Sequence, residues 1–181
     1  LCNALIQPHF DYAYSAWYPN LTKGLKDKLQ IAQNSVFVFV FFLGNREGIR
    51  YKHLKKINWL PVSERVKQFI AVSVYKFFNN LAPSYMKEIF TKAVNSRRTR
   101  YTDEFKINIP RRKHEYGKNC LSYLGATIWN SLDKYIKQLK SCNGFKHKVK
   151  DTFFKVIKTK EDEFYKTEIY IYTYIFWEVV P

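Results

Sequence analysis

A chain of 181 residues, 46% hydrophobic and 18% aromatic, can bury a core, which excludes compositional disorder and fits one domain or a compact domain with an appendage. Its 31 Lys+Arg against 15 Asp+Glu give a formal net charge of +16; among partners this favours nucleic acid before an anionic membrane surface, and charge alone weighs nucleic acid evenly against a basic protein whose lysines are only solvated. Cys2, Cys120 and Cys142 stand far apart with no CxxC or CxxxxH pair, so neither a zinc knuckle nor a disulfide framework is indicated, and reduced intracellular thiols are expected.

LCNALIQP lacks the basic and long apolar regions of a signal peptide, and the start reads as the middle of a longer polypeptide. Residues 1–17 are apolar and aromatic, with Pro8 as an interruption of helix. After the turn Tyr18-Pro19-Asn20, Thr22 is placed to cap a helix. Leu25, Leu29, Ala32, Val36, Phe39 or Val40, and Leu43 then recur at helical spacing, and Gly44-Asn45 can end the helix. Its apolar run, residues 36–43, spans about 12 Å as a helix, far short of a bilayer core of roughly 30 Å. A transmembrane segment is therefore excluded there. Phe37, Val38 and Phe41 fall off the expected core face and need either a cover or exposure.

A short amphipathic segment, 51–57, follows. A second strong helix is expected over 63–81, capped by Ser63, with Val66, Phe69, Ile70, Val74, Phe77 and Leu81 on its face. Pro83 stops it and opens a short helix through Phe90. Residues 92–118 are polar and basic, with nine Lys/Arg against three Asp/Glu. Within them FKINIP (105–110) alternates like a strand. A helix is expected over 118–129, and a last one from a Ser141 cap with Phe145, Val149, Phe153 and Val156 inward. From Glu161 an acidic triplet leads into EIYIYTYIFWEVVP, which alternates like a strand or forms an irregular tail. The fold class expected is mainly α, a helical bundle-like core with a small β-hairpin element near residues 105–112.

Seven strings carry a resemblance: IQPHFDYAYSAWYP (6–19), KLQIAQN (28–34), INWLPVSERV (57–66), VYKFFNNLAPSYM (74–86), IPRRKHEYG (109–117), IWNSL (128–132) and SCNGFKHKVK (141–150). In order and spacing they resemble the C-terminal part of reverse transcriptases of non-LTR retrotransposons, jockey-like and CR1-like, beyond the polymerase palm. The resemblance covers about residues 1–158. It implies a helical thumb-like region (1–91), a basic loop or β-hairpin (92–118), a C-terminal helical region (119–160), and a tail (161–181) outside the family pattern. The parent would be an RNA-directed DNA polymerase using Mg2+, held by an Asp-Asp motif and a further Asp. No Asp-Asp pair occurs in this chain, and Asp11, Asp27, Glu64 and Asp103 are scattered. The expectation is a fragment without catalytic residues, cofactor or small-molecule substrate, retaining non-specific RNA or DNA binding as a thumb would grip template–primer. The family pattern Q-N-x-A-x-R is lost after Asn34, where Val36, Phe37 and Val38 stand.

For phosphate contact the candidates are Arg97, Arg98 and Arg100 on one side of FKINIP, and Arg111, Arg112 and Lys113 on the other. Guanidinium groups bind phosphate bidentately, and Tyr101 and Tyr116 lie nearby to stack. Lys146, Lys148 and Lys150 are further candidates; helices also carry such lysines for solubility alone. His9, with Asp11 close by, reads as a structural hydrogen-bonding group, and Trp17, Trp59 and Trp129 as core anchors. His114-Glu115 lacks the second His of a HExxH zinc site. Two other classes compete: an independent basic helical RNA-binding module, and a membrane-surface or partner-binding helical protein using the Phe-rich stretch. The expected compartment is intracellular, nuclear or cytoplasmic.

Overall fold

The computed structural model describes residues 2–42, 49–93 and 105–178. It is mainly helical. The described helices are α1 (Cys2–Leu5), α2 (Gln7–Asp11), α3 (Tyr14–Trp17), α4 (Lys23–Phe41), α5 (Tyr51–Lys56), α6 (Val62–Phe78), α7 (Met86–Ile89), α8 (Glu115–Lys118), α9 (Leu121–Ser131), α10 (Lys134–Lys137) and α11 (Cys142–Glu178), with a 3-10 turn at Tyr18–Asn20.

Helix α6 is the centre. Val62, Val66 and Ile70 pack on Tyr14 and Tyr18 of the N-terminal turns. One and two turns further on, Val74 and Tyr75 meet Phe90, Trp129, Phe145 and Val149. Trp129 stacks on Phe78 with centroids 4.8 Å apart, and Phe145 stacks on Tyr75 at 4.3 Å. The Tyr75 hydroxyl donates to the Leu139 carbonyl, 2.6 Å, so the ring can be fully buried without an orphaned polar atom. A third cluster joins Phe37, Leu54, Trp59, Leu60 and Phe154.

Two αL asparagines end α5 and α6. After α5, Asn58 has φ 58°, Trp59 N–H donates to Leu54 C=O at 2.9 Å, and Asn58 N–H donates to Lys55 C=O at 3.1 Å. After α6, Asn80 has φ 55°, with Leu81 N–H on Lys76 C=O at 2.8 Å and Asn80 N–H on Phe77 C=O at 3.2 Å. Both are the Schellman arrangement, which satisfies the last carbonyls of a helix and needs a residue tolerant of positive φ. The second stop leaves Leu81 outside α6 and 61% exposed, not on its core face.

Helix α4 is rotated from the phase its aliphatic residues predict. Of the expected face Leu29, Val36 and Val40 are half-buried but Leu25 and Ala32 are exposed, whereas Phe37 is fully buried and Phe41 half-buried. The cause is polar. Gln33 Nε2 donates to the Leu60 carbonyl at 2.9 Å, and Gln30 Oε1 accepts the Val62 N–H at 3.1 Å. Two glutamines of KLQIAQN thus clamp the turn that opens α6 and must face it, carrying Phe37 into contact with Trp59, centroids 5.6 Å apart. Val38, Phe39 and Phe42 remain exposed. The helix ends at Phe41 with Phe42 in the left-handed region; Leu43, Gly44 and Asn45 lie outside the described residues. Thr22 occupies the N-cap without a side-chain capping bond. Ser63 lies inside α6 rather than capping it; Pro61 is the N-cap.

FKINIP is extended, and among the described residues it pairs one bridge deep, Lys92 with Ile107, antiparallel. Its other edge is held by a side chain. Asn130 Oδ1 accepts the Ile107 N–H at 3.0 Å and Asn130 Nδ2 donates to the Ile107 carbonyl at 2.9 Å, as a neighbouring strand would. Trp129 Nε1 donates to the Phe105 carbonyl, 2.5 Å.

The helix expected over 118–129 is present as α9, starting at Leu121 after the short α8 ends at Lys118. Ser141 caps α11 as its sequence suggests, Oγ accepting the Gly144 N–H at 3.4 Å. Phe145 and Val149 are fully buried, but Val156 is 42% exposed and Phe154 is inward instead. The buried stripe shifts because α11 crosses α6 and α9 first and then meets Leu54 and Trp59, on another side of its axis. Its backbone continues helically to Glu178, so residues 168–178 are not a strand. Trp59 and Trp129 are buried core anchors, while Trp17 is half-buried.

Candidate nucleic-acid interface

Arg65 sits on α6 beside the core stripe, one position before Val66, and is fixed from three directions. Its Nε and Nη2 donate to Asp11 Oδ1 and Oδ2 at 3.1 and 2.8 Å. Its Nη1 donates to Gln68 Oε1 at 3.3 Å, and its guanidinium lies 4.9 Å from the Phe69 ring centroid. Asp11 therefore serves Arg65 rather than His9, which is exposed. Gln68 spans to α11, donating through Nε2 to the Lys146 carbonyl at 3.1 Å.

That bond sets the register of α11 on α6, and the next turn brings in Lys150. Its Nζ donates to the Asn58 carbonyl, freed for this by the chain reversal after α5. Between the helices lies an open cavity of about 190 Å³ lined by Arg65, Gln68, Phe69, Val72, Lys146, His147 and Lys150. Burial, with Arg65 nearby, pulls the Lys150 ammonium down from 10.5 to about 8, with Asp11 and Asp151 acting in the opposite sense. Two cationic side chains in one partly dry cleft repel each other and favour an anion.

The predicted cations thus separate. Lys146 and Lys150 share the cavity with Arg65. Lys148 points elsewhere on α11, its Nζ 5.7 Å from the Tyr135 ring centroid. Arg111, Arg112 and Lys113 are exposed on the segment leaving the Asn130 clamp, with Tyr116 73% exposed nearby. Arg97, Arg98, Arg100 and Tyr101 lie outside the described residues. Arg65 was not singled out by sequence reasoning. The available signal was its helical position, flanking Val62, Val66 and Phe69, where a long cation borders the core and reaches a groove.

A second cavity, of about 300 Å³, lies at the other end of α6, bordered by Lys92, Lys137 and Lys140 with Phe78 and Phe105. Among the described residues, no group of three or more His, Cys, Asp or Glu is placed to hold a metal ion, and no helix is long and apolar enough to cross a membrane. Comparison with protein-family models, with curated proteins and with solved structures returns no match to this chain.

Proposed function

We propose that the chain is a thumb-like, non-catalytic piece of a non-LTR retrotransposon reverse transcriptase that binds RNA or DNA through its backbone phosphates. The observation that carries the binding is the convergence of Arg65, Lys146 and Lys150 on one cleft in a chain of net charge +16. Supporting the family reading are the strings KLQIAQN, INWLPVSERV, IWNSL and SCNGFKHKVK, each of which supplies a joint of the fold. They contribute the Gln30/Gln33 clamp, the Arg65 anchor, the Asn130 clamp and the Ser141 cap. Such a role needs no chemistry from this chain, only positioned positive charge, which accounts for phosphate affinity without base readout.

Binding of the full chain to a labelled RNA–DNA hairpin, by fluorescence anisotropy across a salt series, tests the binding. The logarithm of the association constant is expected to fall linearly with that of salt, with a slope of several units, each contacted phosphate contributing about 0.7 to 0.9. No binding at about 50 mM salt, where such contacts are strong, would overturn it. The origin is tested separately: the reading frame preceding Leu1 is expected to encode a palm with an Asp-Asp motif, and an unrelated coding sequence there would reject the family.

A further inference from the structure

We propose that the α6–α11 cleft seats one phosphodiester group of the bound nucleic acid, held by Lys146 and Lys150 with Arg65 as a fixed positive wall. The inference rests on the reading above and narrows the contact to one phosphodiester gripped by the two lysines.

Three features separate the cleft from ordinary surface charge. First, its cations come from two helices and are locked relative to each other. Gln68 ties the α6 side chain to the Lys146 backbone at 3.1 Å, and Asp11 holds Arg65 bidentately. Arg65 and the Lys146 backbone are thereby placed, while the exposed Lys146 side chain orders on binding. Second, Lys150 is only partly in water and its Nζ already spends one donor on the Asn58 carbonyl. An ammonium has three donors, so two remain for a ligand. Third, the cleft mixes polar and apolar walls: Phe69 and Val72 line it beside the cations. The half-buried Lys150 ammonium is less screened by water than an exposed one, which strengthens a charge-assisted bond to it. Arg65 is engaged by Asp11 and Gln68, so its role is to set the potential rather than to grip. His147 lines the same cleft.

A phosphodiester fits this better than a carboxylate-bearing partner. A backbone phosphate is a compact tetrahedral anion that takes ammonium donors from several directions, whereas the ammonium groups of Lys146 and Lys150 lack the planar fork that pairs with a carboxylate.

The test compares two charge-matched double variants of the full chain. Lys146→Gln with Lys150→Met removes the seat while Met keeps the buried stem of Lys150. Lys155→Gln with Lys158→Gln removes two exposed charges from the same helix outside the cleft. Circular dichroism and thermal melting establish that both fold. Affinity for the RNA–DNA hairpin at about 100 mM salt is expected to fall at least about tenfold further in the seat variant than in the control. The salt slope should drop by about one unit in the seat variant. Equal losses in the two variants, with wild-type binding intact, would overturn the seat and leave the nucleic-acid reading standing. Absence of wild-type binding would overturn both. Inorganic phosphate at matched ionic strength separates the sources. Displacement of the hairpin from wild type, weakened in the seat variant, supports a shared phosphate site. Phosphate binding lost in the seat variant while hairpin affinity matches the control would mark a free-anion site and reject the backbone assignment.

Discussion

Gly125 lies so close beneath Phe90 that a Cβ at that position would stand 2.6 Å from the ring's Cε1 and 3.1 Å from Val74 Cγ2. Phe90 is itself buried among α6, α9 and Ile107, so its ring has nowhere to move. This contact joins α9 to α6 at the densest part of the core. Gly125→Ala gains helix propensity of roughly 1 kcal/mol but overpacks the contact, a cost of typically 1–3 kcal/mol. The expected outcome is a net loss of stability, read as a lower urea midpoint; a higher midpoint would mean that Phe90 yields.

The rotation of α4 gives opposite expectations for neighbouring phenylalanines. Phe37 is fully buried against Trp59, and Phe37→Ala should cost about 3–5 kcal/mol. Phe39 is 77% exposed, and Phe39→Ser should leave the urea midpoint within about 0.5 kcal/mol of wild type. It should also reduce aggregation, measured by light scattering, because Val38, Phe39 and Phe42 form an exposed apolar patch. Had the aliphatic phase been right, the two substitutions would exchange their effects.

Among the described residues, the Tyr14 hydroxyl is a buried side-chain oxygen without a hydrogen-bond partner. Its ring is well used, packed on Trp17 at 5.1 Å and Tyr18 at 5.9 Å between centroids. Tyr14→Phe keeps those contacts and removes the unpaired oxygen. Stability should rise by up to about 1 kcal/mol, the lower part of the cost of an unsatisfied buried group. A lowered thermal midpoint in the Phe variant would show that the hydroxyl is bonded.

Alkaline pH should act in two opposing steps. Lys150 is held at about 8 in the fold by burial and by Arg65, against an ordinary 10.5. Between those values the unfolded chain keeps the proton that the folded chain has lost, so stability rises with pH through that window. Burial moves Tyr14, Tyr18 and Tyr75 the other way, above their ordinary 10.0. Above pH 10 the unfolded chain loses tyrosine protons first, and stability falls. Urea midpoints from pH 7.5 to 11 should therefore pass through a maximum. In Lys150→Met the rising limb should shrink while the falling limb stays; an unchanged rising limb would show that Lys150 titrates normally.

The helices were legible because apolar residues at spacings of three and four mark α4, α6 and α11 in the chain itself. The Ser141 cap and the Trp59 and Trp129 anchors follow from local chemistry in the same way. What escaped was decided by polar side chains acting over long separations. Gln33 turns α4 by reaching a carbonyl 27 residues away, and Asn130 replaces a partner strand for Ile107. The face of α11 changes midway because the helix meets two clusters in succession, so no single periodicity describes it. The cleft was half visible: Lys146 and Lys150 were candidates from charge alone. That they share one cavity while Lys148 does not, and that Arg65 completes it, depends on the crossing of α6 and α11.

The Glu161 carboxylate accepts the Tyr51 N–H at 2.8 Å, across 110 residues of chain, and thereby closes the open end of α5 with a group from α11. The Tyr75 hydroxyl likewise depends on Leu139, 64 residues later. On the ribosome, the nascent chain carries α6 with the Val74 and Tyr75 end of its apolar stripe bare until α9 and α11 have emerged, and α5 lacks its carboxylate until later still. A polypeptide ending before α11 would expose Tyr75, Trp59 and Leu54 together, a surface for chaperones and proteases rather than a smaller stable fold. Helix α11 thus decides whether the earlier helices end as a closed core or as an exposed apolar surface.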